Sequence, residues 1–465
     1  MNSRRDQVQA YTYVMGRLTS ALVHGEPDAP ETPTRRTSIG TFTGVLLSAL
    51  LVAGFLIWGL LSPSASASAL SSGEFVVTKD TGSRYIYADG ALHPVLNWSS
   101  AMLLLSGKPT VKAVTAASIA DVPLGIPLGI NGAPDALPPA SSLNKGSWLV
   151  CAVTSGGGPA VSLTVGGTAA LTRVPADSAA IVQTPDGEQY LIYQGQRMRL
   201  DAPWIRVALG LSHAPVAQVS AAWLNAVPAA ADLKALSVPD IGAPGPTLGS
   251  LRTRVGQVLV VQDVGSQQQY YVAVGGGIVP VTLTQAALLL GDPAAAAAYH
   301  GTAVTPVQVG PAAAAAAPAG NLALPDGSDS GAPLSPPKGF MASGQQAPCV
   351  NYAGSGGSPA LVYAAPPAQS ATAPVVSGVT ASPQNADIID VVPGGGALLR
   401  PQTAPGVGGS SFYLVTDAGV KYPVPSSEVT SLGYTAAEAA RLPAALLGFL
   451  PTGPALSLPA LGGDQ

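Results

Sequence analysis

The 465-residue sequence has one glycine–lysine pair from which a nucleotide-binding loop could be built. A phosphate-binding loop of the type Gly-x-x-x-x-Gly-Lys-Ser/Thr cradles a nucleotide between backbone amides and places a lysine and a hydroxyl at fixed positions. The one Gly-Lys pair, Gly107 and Lys108, has Met102 where the first glycine belongs and Pro109 where the hydroxyl belongs. The pattern therefore predicts no phosphate loop of this type.

The remaining reactive residues do not indicate a nucleophile, a metal centre or an acid–base pair. The Gly-x-Ser-x-Gly turn of serine hydrolases is approached only by residues 327–331, which carry Asp329 at the centre. Metal sites group their ligands at short spacing, whereas the four histidines are dispersed: His24, His93, His213 and His300. Four aspartates stand where turns favour Asp for backbone reasons: Asp80, Asp89, Asp186 and Asp417. We expect no cofactor and no metal, and the residues favour a non-enzymatic role.

The composition limits the class of partner. The sequence has 21 Lys+Arg and 25 Asp+Glu, a net charge of −4, and only 10% of its residues are charged. A chain without a basic field has little to hold a phosphate backbone, so we do not expect nucleic acid as a partner. The 54 Gly and 44 Pro residues indicate several small cores separated by irregular connections.

The element that would position the whole chain is an apolar stretch, Ile39 to Leu61, which contains no charge. At about 1.5 Å per residue, a helix of this length spans the roughly 30 Å hydrocarbon layer of a membrane. A cleaved secretory signal is the alternative, because Ala65-Ser66-Ala67 resembles a cleavage site. We favour an uncleaved anchor, since the apolar run is longer than a signal core and 38 residues precede it.

Basic residues near the anchor set its orientation. The first basic residue after the anchor is Lys79, whereas five arginines precede the anchor: Arg4, Arg5, Arg17, Arg35 and Arg36. We therefore expect a single-pass membrane protein, with the N-terminus in the cytoplasm and the bulk of the chain outside.

The predicted cytoplasmic segment, 1–38, contains an amphipathic helix. Its apolar residues recur at steps of three and four, which places them on one face of a helix: Val8, Tyr11, Met15, Leu18 and Leu22. Such a short helix is marginally stable alone in water, so its apolar face requires a contact. The membrane surface and a self-contact are alternatives, but we favour a partner protein, because Arg4, Arg5 and Arg17 are too few for strong lipid attraction.

Four segments beyond a linker at 62–74 share one pattern: a β-rich run, a turn, a strand led by tyrosine, a glycine turn and a third strand. Asp-Gly and Gly-Gly pairs in these turns are hairpin signals, and the leading tyrosines are Tyr85, Tyr190, Tyr271 and Tyr413. Each unit continues into a helix-like stretch with a polar residue before it and glycine after it; these stretches follow Asn97, Asp201, Thr282 and Ser426. We expect four small α+β repeats and no solenoid, because the tyrosines are unevenly spaced.

The two cysteines, Cys151 and Cys349, lie in two segments that separate the repeats. Each segment is predicted to form two strands around a Gly/Ser turn, Gly146 to Gly167 and Ala347 to Pro366. Because thiols outside the cytoplasm are oxidised, we expect one disulfide that joins both segments in a discontinuous central domain. Two free thiols are the alternative. Closure of so long a loop contributes up to about 5 kcal/mol by the chain-entropy model.

These elements predict an α+β fold in which one transmembrane helix precedes four repeats and a β-rich central domain. The expected division is a cytoplasmic helix and tail at 1–38, a membrane helix at 39–61, a linker at 62–74, repeats at 75–140, 179–245, 246–325 and 395–465, and central-domain segments at 141–178 and 326–394.

The sequence resembles the EccB family of the type VII (ESX) secretion machinery of actinobacteria. The resemblance covers nearly the whole chain. It rests on the head motif DQVQAYTYVMGRLTSALV, the anchor after it, the four repeats, the two distant cysteines and the segment Pro123 to Pro138, PLGIPLGINGAPDALP. The head motif and this last segment are its most specific parts.

The resemblance implies an elongated extracytoplasmic region of four repeats around a central domain, and it implies the same Cys151–Cys349 pair. The repeats would be similar to a cell-wall-binding module of phage lysins. It also implies self-association and an inner-membrane complex with the EccC motor ATPase, EccD, EccE and the mycosin protease. Family members bear an ATPase label, for which this sequence lacks the usual loop. The expected function is a structural subunit of the secretion complex; an ATP-hydrolysing component and a cell-wall tether are the alternatives.

Overall fold

The protein is described from a computed structural model. The described residues are 4–25, 34–61, 70–166, 170–262, 268–324, 332–342, 344–354, 356–366, 378–404 and 407–457. Most of the expected linker, residues 62–69, lies outside them. The chain divides into two compact units: one is formed by Met1–Ser71, Val76–Ser83 and Lys112–Val122, the other by Ser72–Phe75, Arg84–Val111 and Pro123–Gln465.

The helices fall into two long N-terminal ones and several short ones. They are α1 (Arg4–His24), α2 (Thr34–Leu61), α3 (Trp98–Leu104), α4 (Trp204–Ala208), α5 (Ala221–Asn225), α6 (Leu283–Gly291), α7 (Ala296–Tyr299) and α8 (Pro311–Ala315). Short 3₁₀ turns occupy Ala116–Ile119, Ala140–Ser142, Pro293–Ala295, Ala436–Glu438 and Ala444–Phe449.

The strands are short, and most lie in small mixed sheets. The first thirteen are β1 (Glu74–Thr78), β2 (Arg84–Ala88), β3 (Ala91–Pro94), β4 (Thr110–Val114), β5 (Trp148–Ser155), β6 (Gly158–Val165), β7 (Thr172–Arg173), β8 (Ser178–Gln183), β9 (Gln189–Tyr193), β10 (Gln196–Arg199), β11 (Val216–Gln218), β12 (Pro244–Leu248) and β13 (Leu251–Arg254). The others are β14 (Val258–Gln262), β15 (Gln268–Val274), β16 (Gly277–Val281), β17 (Val307–Gln308), β18 (Lys338–Gly339), β19 (Ala347–Tyr352), β20 (Ala360–Ala364), β21 (Ile388–Val391), β22 (Gly396–Ala404), β23 (Val407–Gly408), β24 (Phe412–Thr416), β25 (Lys421–Val424) and β26 (Ala440–Pro443).

The four tyrosine-led segments form hairpins in matching register. Tyr85, Tyr271 and Tyr413 each lie opposite a proline on the following strand, Pro94, Pro280 and Pro423. Tyr190 holds the same position opposite Arg199. In the second, third and fourth repeats a later strand returns parallel to the first strand of the hairpin: β11 beside β8, β17 beside β14, and β26 beside β22.

Three of the four expected short helices form, and the fourth prediction is wrong. Asn97 and Thr282 cap α3 and α6 through their side chains, and Thr282 forms a capping box with Gln285. The stretch after Ser426 is instead a series of turns that ends at Gly433, a residue with positive φ. The stretch contains the β-branched pair Val429-Thr430, which gives up side-chain freedom in a helix.

The two cysteine-bearing segments meet in one six-stranded sheet of order β21-β6-β5-β19-β20-β7. Strands β5 and β6 form an antiparallel hairpin, as do β19 and β20, and β19 joins the two hairpins by pairing with β5. We call this the central sheet. One face of it packs into a buried cluster that also contains Trp223 of the second repeat and Leu399 of the fourth. The central sheet therefore shares a continuous core with two repeats.

Candidate assembly surfaces

Each repeat contains three neighbouring antiparallel strands and, after them, a short extended segment, here called the strap. The strap lies parallel to the third of these strands, which is β3, β10, β16 or β25. In every case a proline carbonyl accepts a hydrogen bond from the third strand, at 2.8–3.0 Å: Leu92 N–H to Pro123, Arg197 N–H to Pro228, Ile278 N–H to Pro318 and Lys421 N–H to Pro451. The residue two positions after each proline donates back to the same third-strand residue at 2.9 Å: Gly125, Ala230, Gly320 and Gly453. The straps are thus equivalent in all four repeats.

Three straps carry glycine at this donating position for a steric reason. A Cβ atom on Gly453 would overlap the ring of Tyr422, and a Cβ atom on Gly125 would overlap the ring of His93. In the second repeat the strap residue is Ala230, which packs against a buried cluster that contains Met198. The pattern Pro-x-Gly therefore marks the strap in three of the four repeats. It is visible in the sequence but was not among the predicted repeat features.

The segment Pro123–Pro138 connects the first repeat to the fourth. Its Asp135 pairs with Arg84 of β2 and accepts the Trp98 N–H at the start of α3, at 3.0 Å. The carbonyl of Pro138 accepts a hydrogen bond from the buried hydroxyl of Tyr434 at 2.7 Å. Arg84 holds the pKa of the Asp135 carboxyl below its usual value, mainly through the side-chain hydrogen bond. The residues of this motif thus have structural roles that fix one repeat against another.

The elements that follow the strands bring the repeats together in pairs, through two helices in one pair and through a helix and a series of turns in the other. In the first and fourth repeats, Leu103 of α3 shares a buried cluster with Val429 and Leu432. In the second and third, α4 packs on α6, and a Cβ atom on Gly291 would lie 2.5 Å from the Cβ atom of Ala208. Close approach at both junctions requires a small residue, since a Cβ atom on Gly107 would lie 2.9 Å from the carbonyl oxygens of Thr430 and Ser431.

The expected disulfide between Cys151 and Cys349 is present. Both residues are buried and lie directly opposite each other on β5 and β19. The bond links residues 198 positions apart in sequence. It therefore fixes the strand pair on which the discontinuous sheet depends.

Two buried aromatic side chains, Tyr352 of the central sheet and Trp223 of the second repeat, join the sheet to that repeat. The hydroxyl of Tyr352 donates to the carbonyl of Ala226 in the second repeat, and Trp223 Nε1 donates to the carbonyl of Val150 at 3.0 Å. Burial raises the pKa of Tyr352 and of Tyr363 to about 12. Ionisation of either phenol is therefore disfavoured in the folded protein.

Helix α1 exposes the whole apolar face that the sequence analysis selected. Val8, Tyr11 and Met15 are exposed, Leu18 is 52% exposed and Leu22 is 83% exposed. The face is continuous along the helix because the five residues recur at helical spacing. The described part of the chain thus presents an unpartnered apolar stripe of about four turns.

Helix α2 begins five residues before the predicted Ile39 and ends at the predicted Leu61. Among the described residues it is the one helix long and apolar enough to cross a membrane; the window Thr37–Trp58 has a mean hydropathy of 2.1. Its large apolar side chains, including Phe42, Phe55 and Trp58, are exposed.

The chemistry-bearing residues occupy separate places in the structure. His93 Nδ1 lies 3.0 Å from the carbonyl of Ile126, Asp417 accepts the Gly394 N–H, and Asp186 accepts the hydroxyl of Thr184. Within the described ranges, no group of three His, Cys, Asp or Glu residues could hold a metal ion. A surface cavity of about 600 Å³ beside Tyr270 and Tyr271 has no lysine or arginine in its lining to pair with a triphosphate.

The fold defines a class of protein: a chain with one candidate membrane helix and a mixed α+β body of small repeated sheets joined by a discontinuous, disulfide-linked sheet. The chain belongs to the EccB family, since the family model described as "Type VII secretion system ESX-1, transport TM domain B" matches residues 2–461.

Curated relatives carry the same family name. The chain is 27% identical to the "ESX-3 secretion system ATPase EccB3" of Mycolicibacterium smegmatis, over 97% of this chain and 89% of that one. It is 31% identical to the "ESX-5 secretion system ATPase EccB5" of Mycobacterium marinum, over 58% of this chain and 55% of that one. With several of its relatives, the chain thus aligns over about half of their length.

Two solved structures share the fold. A chain of an intact ESX-5 inner membrane complex is similar with a TM-score of 0.63 and 24% identity, and the similarity covers 100% of this chain and 97% of that one. The EccB3 dimer from the ESX-3 core complex is similar with a TM-score of 0.63 and 28% identity, over 83% of this chain and 98% of that one.

Proposed function

We propose that this protein is a structural core subunit of a type VII secretion complex in the plasma membrane. In this proposal α2 crosses the membrane once, α1 lies in the cytoplasm, and the repeats form an elongated extracytoplasmic region around the disulfide-linked central sheet. The partner subunits are an EccC-type motor ATPase, EccD, EccE and a mycosin protease, together with further copies of this chain. Family membership and the relatives' complexes support this assignment.

The observation that carries the proposal is the contrast between the two ends of the chain. Helix α1 presents an exposed apolar stripe that requires a covering surface. The described body beyond α2 is held together by its straps, a disulfide and shared cores, while His93 and Asp417 make contacts with backbone groups. Such a chain connects a protein contact in the cytoplasm to a rigid framework outside the membrane. In this proposal the energy for secretion is supplied by the motor ATPase subunit.

The apolar stripe of α1 provides the direct test. Leu18→Asp together with Leu22→Asp places two charges on the stripe, so we expect the cytoplasmic and membrane partners to be lost when the complex is purified in detergent. The matched control is Gln9→Asp with Tyr13→Asp, which adds the same charge on the opposite face of the helix. Retention of all partners by the stripe variant would contradict the proposed contact.

Hydrolysis of ATP is the second candidate function, because the curated relatives are named ATPases. Calorimetry of the purified full-length chain with ATP and Mg²⁺ tests it. Under the structural proposal no binding heat is expected, and saturable binding by the chain free of motor subunit would favour the enzymatic function.

A cell-wall tether is the third candidate. Co-sedimentation of the purified chain with isolated cell wall, in the absence of any partner protein, would favour it. Under the structural proposal, the chain stays in the supernatant and its recovery in the membrane complex depends on partner subunits.

A further inference from the structure

The strap of the first repeat differs from the other three at its outer edge. Leu124 pairs with Leu92 of β3 as its parallel neighbour, so the hydrogen bonds to β3 are made by Pro123 and Gly125. In such a ladder the backbone N–H and C=O of the intervening residue point away from the paired strand. Leu124 therefore directs one donor and one acceptor outward, and within the described residues neither has a hydrogen-bond partner.

The fourth repeat shows what this position can bind. Its equivalent residue, Thr452, directs the same two groups outward, and both are used: Thr452 N–H donates to Thr380 at 2.9 Å, and Thr380 N–H donates to Thr452 at 2.8 Å. The partner backbone runs antiparallel to the strap. The outer edge of a strap thus accepts an antiparallel extended segment in this fold.

Side chains distinguish the first strap from those of the second and third repeats. Leu124 is 69% exposed and Ile126 is 71% exposed. The equivalent residues of the second repeat are Ala229 and Ala231, and those of the third are Ala319 and Asn321, all of them exposed. Only the first strap therefore combines an open backbone edge with two large apolar side chains, the combination that favours strand addition.

We propose that Leu124 is the centre of a strand-pairing contact between two copies of this chain. One outward donor and one outward acceptor on the same residue are self-complementary, so a two-fold axis can place Leu124 opposite Leu124 of a second copy in an antiparallel pair. Residues 123–134 carry no charge, and two such straps therefore meet without repulsion.

This contact rests on the proposed function, because it gives the self-association of the complex a specific surface. The solved EccB3 dimer at 28% identity indicates that chains of this family pair. A pair of straps covers a small area, so the contact sets register within an assembly that other surfaces also hold.

Cysteine cross-linking in native membranes tests the proposal. Opposed residues of a hydrogen-bonded antiparallel pair have Cα atoms about 5.5 Å apart, within the range that a disulfide bridges. Leu124→Cys in the full chain should therefore form a disulfide-linked homodimer under mild oxidation. Ala229→Cys is the matched control, since it occupies the same strap position in the second repeat. The native cysteines do not interfere, because they are paired and buried.

The expected result is a homodimer band on the order of tenfold stronger for Leu124→Cys than for Ala229→Cys, because the disulfide geometry is selective. Leu124→Asp should in addition weaken self-association more than Ala229→Asp, because like charges directly opposite each other repel. Equal cross-linking of both variants, a monomeric Leu124→Cys chain, or its cross-linking to a different protein would overturn the proposal.

Co-purification of the partner subunits with each variant separates this inference from the proposed function. If the complex is intact but the Leu124 cross-link is absent, only the proposed strap contact is contradicted. If the wild-type chain purifies from native membranes without partner subunits, the proposed function is contradicted instead.

Discussion

Cys151 and Cys349 lie opposite each other on neighbouring antiparallel strands, with Cα atoms 4.0 Å apart, although 198 positions separate them in sequence. Everything between them, including the second and third repeats, is a loop closed by this one bond. The disulfide therefore restricts the unfolded chain over nearly half of its length.

Removal of the disulfide should lower the stability of the body without changing its fold. We expect the double variant Cys151→Ala, Cys349→Ala to lose up to about 5 kcal/mol of free energy of unfolding, the chain-entropy limit for a loop of this length. Denaturant unfolding of the full chain in detergent measures it, with the reduced wild type as the control. An unchanged unfolding midpoint in both would show that pairing of β5 with β19 holds the sheet without the bond.

The strap glycines should resist substitution where a ring lies over them. Gly453→Ala would place a Cβ atom into the ring of Tyr422, so we expect a loss of about 1–3 kcal/mol, as for overpacking in general. Gly275→Ala is the control, because no atom lies within 4 Å of the added methyl group. Thermal unfolding compares the two, and equal melting temperatures would mean that the strap moves aside at little cost.

Part of the fold could be predicted from the sequence, and part could not. The hairpins, the apolar helix α2 and the helices after Asn97 and Thr282 were accessible, because they depend on local signals such as hairpin turns, caps and apolar runs. The disulfide was accessible because the sequence has only two cysteines and both were expected outside the cytoplasm. The return strands β11, β17 and β26 were missed: they are two to four residues long, and their pairing is set by the first strand of the hairpin. The helix expected after Ser426 does not form, because the β-branched pair Val429-Thr430 disfavours a helix; Val429 instead shares a buried cluster with Leu103 of α3.

The surfaces were less accessible than the fold. The apolar stripe of α1 could be identified because helical periodicity alone defines it. The role of Leu124 could not, because it depends on which edge of the strap β3 covers and on the pairing of Thr452 with Thr380 in another repeat. Sequence periodicity contains neither relation.

High pH should destabilise the central sheet through its buried tyrosines. The pKa of Tyr363 is raised by burial from about 10 to about 12, so the unfolded chain loses this proton first. The neutral phenol of Tyr363 therefore contributes fully to the free energy of unfolding below pH 10. This contribution is lost as the pH rises from about 10 to about 12, a decrease of about 2–3 kcal/mol. Denaturant midpoints of wild type and Tyr363→Phe across this range test it. The variant should lose less stability with rising pH, and parallel curves would contradict the assignment.

Loss of the hydrogen bond from Tyr434 to Pro138 should weaken the contact between the first and fourth repeats. The hydroxyl is buried, and burial together with the charge of Glu438 raises the pKa of Tyr434, so at neutral pH it donates as a phenol to the Pro138 carbonyl at 2.7 Å. Tyr434→Phe keeps the ring and leaves that carbonyl unsatisfied, which should cost about 1–3 kcal/mol. The loss should appear as faster amide hydrogen exchange in both the segment 123–138 and the fourth repeat, because the bond joins them. Tyr413→Phe is the control, since Tyr413 is only partly buried and lies on β24 of the same repeat. Faster exchange in the fourth repeat alone would mean that Pro138 is held by its other neighbours and that the two repeats are stabilised independently.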